Sequence, residues 1–247
     1  MKTVILLDGD IYAYKHASGC EVATDWGDDM WTLHTDTKQA IAQMDQDIKA
    51  VVLALKADAV EVALSGRENF RRRVDETYKA GRKKSRKPIG LPSLREHLMH
   101  EWRGKVIQEL EADDLLGIWA TDPMFRVGDR KIIVSTDKDM RTIPCELWNP
   151  NHPEFGVKNI SRKEADVFHL YQTLCGDSTD GYAGCPTIGH ARATRILEAD
   201  PTWAAVVKAF ETQGLTESDA LVQGRLARIL RVENYNVKKE KLKHWIP

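Results

Sequence analysis

The chain has 247 residues, 42% of them hydrophobic, which is enough apolar material for one large core or for a main domain with a small second one; the second is expected. A formal net charge of -1 gives no global sign of a polyanion binder, so any such evidence must be local. The four cysteines, Cys20, Cys145, Cys175 and Cys185, contain no close pair suited to zinc and no framework of a small secreted fold, which fits a reducing cytosol.

Val4 to Leu7 is a continuous apolar run before Asp8-Gly9-Asp10, as a buried parallel strand ending in a turn would be. It is too short for a signal-peptide core, and no long uncharged apolar run follows, so a soluble intracellular protein is expected. Open α/β sheets gather ligands at the carboxyl ends of such strands, although Asp and Gly also suit ordinary turns. Residues 18 to 36 show no reliable period. From Thr37 to Lys56, Ile41, Met44, Ile48, Val51 and Leu55 recur at three- and four-residue spacing, which predicts an amphipathic helix with a core-facing stripe. Ala59 to Leu64 is a second strand candidate.

Between Arg67 and Lys87 lie ten lysines and arginines against Glu68, Asp75 and Glu76. So dense a block attracts phosphate whatever the net charge. Phe70 and Tyr78 lie inside it, and aromatics among cations suit stacked bases and a tracked backbone. Arg71, Arg72, Tyr78, Lys79, Arg82, Lys83 and Lys84 are the candidate nucleic-acid contacts; a solvated basic loop is the plainer alternative. Pro92-Ser93 with Glu96 three residues on predicts a capping box and a helix through Leu94 and Leu98.

Lys105 to Leu110 is a strand candidate, and Leu110 to Gly117 follows as Leu-Glu-Ala-Asp-Asp-Leu-Leu-Gly. Glu111, Asp113 and Asp114 crowd the start of a helix, and like charges that close repel unless something cationic sits among them. A hard metal ion is one occupant; an acidic first turn favoured by the helix dipole is the other reading. Lys131 to Ser135 is another buried strand, and Asp137 and Asp139 beyond it would point the same way on an extended segment. Asp8, Asp113 and Asp137 thus each follow an apolar strand, and three on one sheet edge make a site.

Ser161 and Glu164 form a second capping box, opening a helix that ends at Gly176. Asp177-Ser178-Thr179-Asp180-Gly181 follows, then Gly184-Cys185-Pro186-Thr187-Ile188-Gly189-His190-Ala191-Arg192. Glycines bracketing a short turn between helices let backbone amides approach a phosphate, as helix-hairpin-helix DNA binding requires; the alternative is a hairpin whose glycines serve packing alone. Thr202 to Lys243 reads as short helices with a basic tail.

The ordered set Asp8, Tyr78-Lys79-Ala80-Gly81-Arg82, Glu111-Ala112-Asp113-Asp114, Ser135-Thr136-Asp137-Lys138-Asp139, Gly176-Asp177-Ser178-Thr179-Asp180-Gly181 and Ile188-Gly189 resembles the flap endonuclease and 5′-3′ exonuclease superfamily across nearly the whole chain. The form looks most like the exonucleases of short-tailed coliphages. The resemblance implies an α/β fold: a PIN-like nuclease domain at residues 1–172, with a central mostly parallel sheet flanked by helices, and a helix-hairpin-helix DNA-binding region at 173–247. It implies hydrolysis of duplex DNA from 5′ ends or flaps, in phage replication and host DNA degradation within the host cytoplasm, with RNase H-like action on RNA·DNA hybrids. Two magnesium ions are implied, with manganese as a substitute, and potassium held by backbone carbonyls at the helical hairpin.

Carried over by position, Asp8, Glu111 and Asp113 serve one magnesium, and Asp137, Asp139 and Asp177 the other. Asp114 and Asp180 sit at or just behind them, Lys79 and Arg82 neutralise the scissile phosphate, and Tyr78 stacks on the end nucleotide. Gly184, Ile188, Gly189 and Arg192 belong to the duplex-binding hairpin. One departure stands out. The family places a further metal-binding aspartate after the strand at Ala59 to Leu64, where this chain has Ser65-Gly66; either Glu68 takes that role or water does. Two other readings remain: a haloacid-dehalogenase-type phosphatase built on Asp8 and Asp10, and a non-catalytic binder of DNA ends or junctions.

Overall fold

Val4, Ile5, Leu6 and Leu7 are wholly buried because the strand they form, β1 (Thr3–Asp8), lies inside a six-stranded sheet. In this computed structural model, which describes residues 1–81, 86–236 and 238–247, β1 runs directly into α1 (Gly9–Gly19). A hairpin of β2 (Glu21–Asp25) and β3 (Trp31–Thr35) leads to α2 (Thr37–Leu55), β4 (Ala59–Ser65), the single turn α3 (Arg71–Val74) and α4 (Leu91–His100). Next come β5 (Lys105–Ile107), α5 (Ala112–Thr121), β6 (Arg130–Val134), β7 (Cys145–Trp148) and β8 (Lys158–Ile160). Helices α6 (Arg162–Cys175), α7 (His190–Ala199), α8 (Trp203–Glu211) and α9 (Glu217–Ala227) precede the small hairpin of β9 (Tyr235–Asn236) and β10 (Lys241–Leu242).

The sheet order is β5-β4-β1-β6-β7-β8, parallel throughout except for β8 at one edge. A parallel strand covered on both faces is apolar at every position, and β1 shows why. Ile5 and Leu7 pack with Met44 and Ile48 of α2 and Leu94 and Leu98 of α4, while Val4 and Leu6 face Leu115 and Leu116 of α5. With β4 on one side of β1 and β6 on the other, the carboxyl end of β1 opens at a switch point of the topology, where such sheets bind ligands.

A separate core joins Leu170 and Leu174 of α6 to Ile188, Leu197, Val206 and Phe210. Helix α6 is continuous through residue 172, so a division there cuts a helix whose Ser161–Glu164 capping box forms as expected. The last segment returns to the first core, with Ile229 against the α5 side of the sheet and Leu230 and Tyr235 beside Phe70.

Four local expectations differ. Residues 21–35 form a hairpin pairing only with itself, and Trp26, Met30 and Trp31 are exposed, so no alternation marks it. Helix α4 starts at Leu91 without a side-chain cap, because Pro92, with its preset φ, fits the first turn and puts Ser93 inside the helix. Strand β5 stops at Ile107, since the main chain of Gln108, Glu109 and Leu110 takes bonds from Glu68, Phe70 and Gly66 instead. Asp137 and Asp139 do not share an extended segment, for Asp137 caps a short 3-10 turn, Lys138–Thr142.

Candidate active site

Asp8 closes β1 and caps α1, its carboxylate accepting the Ile11 N–H at 3.2 Å and the Ser135 hydroxyl at 3.3 Å from beyond β6. Only 3% of it is exposed. Asp113, in the first turn of α5, hydrogen-bonds to it. Burial pushes Asp8 up to about 6 against the pull of the Ile11 N–H, and the charge of Asp137 adds to the rise. Burial, then the charges of Asp8, Asp137 and Glu111, drive Asp113 well above the carboxylate range. Two such groups hold a proton between them when no cation separates them.

Glu111 behaves in the opposite way. Its carboxylate accepts Lys79 Nζ at 2.5 Å, the Tyr78 hydroxyl at 3.2 Å and Arg71 Nη1 at 3.3 Å. Burial would raise its pKa, but Lys79 and Arg71 outweigh burial and hold it at about 2. Lys79 is placed by the far side of the site: its N–H donates to the Asp180 carbonyl at 2.7 Å, and its ammonium lies 3.4 Å from the Asp180 carboxylate.

The second group of carboxylates is built by α6 and the loop after it. Asp139 accepts Gln172 Nε2 at 2.6 Å, and burial, then Asp137, push it up to about 7. Asp177 is held at the neck of a tight loop that its bridge to Tyr182 closes. Its carboxylate accepts the Thr179 N–H at 2.8 Å and Lys138 Nζ at 2.9 Å, which keeps it low despite burial. Gly176 and Gly184 have φ of +67° and +68° and lie so close that a Cβ on Gly184 would meet Gly176 N at 2.3 Å; only glycines fit there.

Asp8, Glu111, Asp113 and Asp137 therefore interact at the sheet edge, and Asp139, Asp177 and Asp180 adjoin them across Lys79 and Lys138. Among the described residues no three metal-binding side chains close on one point, as cations and amides hold several of these carboxylates. The donor set nonetheless fits hard divalent ions: oxygen throughout, with burial and mutual charge raising the proton affinity of Asp8 and Asp113.

Several expectations are corrected by burial. Arg71 is 2% exposed and grips Asp114 with both ends of its guanidinium, at 2.8 and 2.7 Å, so it does not reach nucleic acid. Asp114, expected at or just behind the metal ligands, is fully buried by the same pair and lies behind Glu111, whose N–H it accepts at 3.1 Å. Tyr78 is 2% exposed, packed with Tyr182 and Leu226 and bonded through its hydroxyl to Glu111 and Asp180, so its ring is not a stacking surface. Arg72 is exposed on α3, while Arg82, Lys83 and Lys84 lie outside the described residues. In the hairpin, Ile188 is core, Gly189 caps α7 and Arg192 is exposed in its first turn.

The Ser65-Gly66 departure has a structural reason. Ser65 Oγ accepts the Ala112 N–H at 3.0 Å at the head of α5, and its own N–H donates to Asp10. A Cβ on Gly66 would meet the Gln108 carbonyl oxygen at 2.1 Å. Glu68 is exposed, with Arg73 as its charged neighbour. Gln172, which orients Asp139, had no signal of its own in the sequence; Ser135, which orients Asp8, stood in the motif with Asp137 and at a strand end but was given no role there.

Residues 3–163 match the model of the 5′-3′ exonuclease, N-terminal resolvase-like domain. The chain belongs to that family. The exodeoxyribonuclease of Enterobacteria phage T3 and the exonuclease of Escherichia phage T7 are each 29% identical across the whole of this chain, covering 93% and 94% of their own. A flap endonuclease Xni of Shewanella piezotolerans is 29% identical over 65% of this chain and 67% of its own. With these relatives it is an enzyme, a 5′-3′ nuclease. Among solved structures, T5 5′-exonuclease with divalent zinc ions bound shares the fold at a TM-score of 0.66 and 14% identity, over 92% of this chain and 89% of that one. The catalytic core of Rad2 in complex with DNA substrate follows at 0.52 and 11%, over 86% and 65%. Among the described residues no helix is long and apolar enough to cross a membrane.

Proposed function

We propose that this nuclease hydrolyses phosphodiester bonds of duplex DNA from 5′ ends or flaps, using two magnesium ions. Asp8, Glu111 and Asp113 would hold one ion, and Asp137, Asp139 and Asp177 the other, with manganese as a substitute. The observation that carries this reading is the Asp8–Asp113 pair, whose raised proton affinity at a sheet edge marks a place built for added positive charge. Bound there, the ions supply an activated water and neutralise charge on the scissile phosphate.

The chain's own residues do the rest. Lys79 aims an ammonium into the same space and keeps Glu111 ionised. Ser135 and the Ile11 N–H orient Asp8, and Gln172 orients Asp139. Arg72, with Arg82, Lys83 and Lys84, would draw the DNA backbone by charge. Gly184 to Arg192 would meet the duplex through the amino end of α7, with potassium on the hairpin's carbonyls. RNA strands of RNA·DNA hybrids are a further substrate. A phosphatase built on Asp8 and Asp10 is disfavoured by Asp10 itself, which accepts the Ser65 N–H at 2.8 Å and pairs with Arg95. Those partners hold its carboxylate between β4 and α4.

A 5′-labelled duplex with and without magnesium tests the reading. The parent should release short 5′ products only with the metal. Asp113→Asn and Asp137→Asn should abolish release while duplex binding at low salt stays within a few-fold. Wild-type single-turnover rates in either variant would refute the two-ion assignment, and binding without cleavage by the parent would leave an end-binding protein.

A further inference from the structure

Within two residues, the segment after α9 touches the elements that carry both groups of carboxylates. Leu230 donates its N–H at 3.0 Å to Asp114, in the first turn of α5 that also carries Asp113. Its carbonyl lies so close to the same helix that a Cβ on Gly117 would stand 2.3 Å from the oxygen. Arg231, the next residue, sends Nη2 to the Thr142 carbonyl at 2.7 Å, at the end of the 3-10 turn that opens on Asp137. The Thr142 hydroxyl in turn donates to the Asp139 carbonyl at 2.8 Å. Asn234 fixes the shape of the segment itself, its side-chain oxygen accepting the Arg231 N–H and Arg228 Nε, each at 3.2 Å.

As a device for stability alone, Arg231 is a poor choice. It is wholly buried, and its Nε has no hydrogen-bond partner among the described residues. Burial, then the charge of Arg231, pushes nearby Arg228 down to about 9. An apolar side chain of similar volume often serves a core as well as a buried ion does. The charge is balanced only from the rim, by Asp166 at 2.7 Å, which is half exposed. What the guanidinium does that an apolar chain cannot is donate to the turn bearing Asp137 and Asp139. Gln172 holds Asp139 by its side chain, and Arg231 acts through Thr142 on the main chain beneath it. We propose that Leu230 and Arg231 set the separation of the two carboxylate groups, with Arg231 a positioning residue for the ion at Asp137, Asp139 and Asp177. This rests on the two-ion reading and adds to it the segment that spaces the ions.

The test counts manganese ions on the intact protein without DNA, from the electron paramagnetic resonance signal of the free ion. The parent should take up two, and Asp139→Asn identifies the dissociation constant that belongs to the second group. Arg231→Met should weaken that constant about tenfold, the scale usual for residues that orient metal ligands, and leave the other within about twofold. Thr142→Val, which removes only the donor to the Asp139 carbonyl, should weaken the same constant, and it carries the test if Arg231→Met does not fold. Charge alone predicts the reverse for Arg231→Met, because removing a cation tightens the binding of another nearby. A merely structural role predicts a lower melting temperature with both constants unchanged, which is the result expected for Ile229→Ala in the core beside the sheet. Two ions on the parent with unchanged or tighter constants in Arg231→Met and Thr142→Val, or with both constants weakened equally, would overturn this proposal alone. Fewer than two ions on the parent would overturn the two-ion reading and the proposal with it.

Discussion

At Lys79 one ammonium stands 2.5 Å from Glu111 and 3.4 Å from Asp180, beside Asp113. A charge fixed that way stabilises a transition state more than it binds a ground state, so Lys79→Ala should slow single-turnover cleavage by about two to three powers of ten. Arg72→Ala, an exposed cation of the same block, should weaken duplex binding and flatten its salt dependence instead, with the chemical step unchanged. Equal losses of binding in both, with no separate rate effect, would contradict the division. Gly66 poses the reverse problem. Restoring a carboxylate there looks from the family pattern like an improvement, yet its Cβ would stand 2.1 Å from the Gln108 carbonyl oxygen. Gly66→Asp should therefore lower the melting temperature and the soluble yield rather than the magnesium requirement, while Glu68→Gln should cleave as the parent does. A stable Gly66→Asp protein with a lower magnesium midpoint would show that the loop yields.

The element that most needs its neighbours is the amino end of α5. Asp114 accepts both ends of the Arg71 guanidinium and the N–H groups of Glu111 and Leu230, at 3.1 and 3.0 Å. Arg71 also donates to the carbonyls of Leu226 and Arg228. One buried ion pair thus ties α3, α5 and the returning segment after α9 together, and it sets Glu111 in place from behind. Breaking such a pair costs about 3–5 kcal/mol. Asp114→Asn should lose that much by urea unfolding, whereas Asp113→Asn, which removes repulsion with Asp8, should leave the metal-free protein as stable as the parent or more so. Similar losses in both would mean that the two aspartates share one role. In the sequence they are adjacent and alike, and only the turn of the helix and an arginine forty-three positions away separate them. The strand-end aspartates were legible because a buried parallel strand is apolar throughout and stops abruptly. The β2–β3 hairpin was not, since with both faces open to solvent its sequence carries no alternation.

Across the whole molecule, chain order revealed the family, but it could not show that the last segment returns to the sheet or that α6 packs on both the turn after Asp137 and α9. His169 of α6 lies at that joint, 1% exposed, its Nε2 donating to the Gly224 carbonyl of α9 at 2.8 Å, with the Trp245 ring edge-on at 4.6 Å. Burial, then the cations Arg228 and Arg231, push it down to about 3. The folded state therefore refuses a proton that the unfolded chain accepts near 6.5. Below that pH the unfolded state binds more protons than the folded one, so stability falls as pH falls from about 6.5 toward 3. Between pH 7 and 5 this one group should remove about 2 kcal/mol. Asp8, raised to about 6 without metal, has the opposite sign, favouring the fold as pH falls, so the total slope alone does not identify His169. The difference between two proteins does. His169→Gln, which can keep a donor to Gly224, should show a loss between pH 7 and 5 smaller than the parent's by about 2 kcal/mol in urea unfolding. The comparison is of slopes, so a constant cost of the substitution drops out, and parallel losses in the two proteins would remove His169 as the cause.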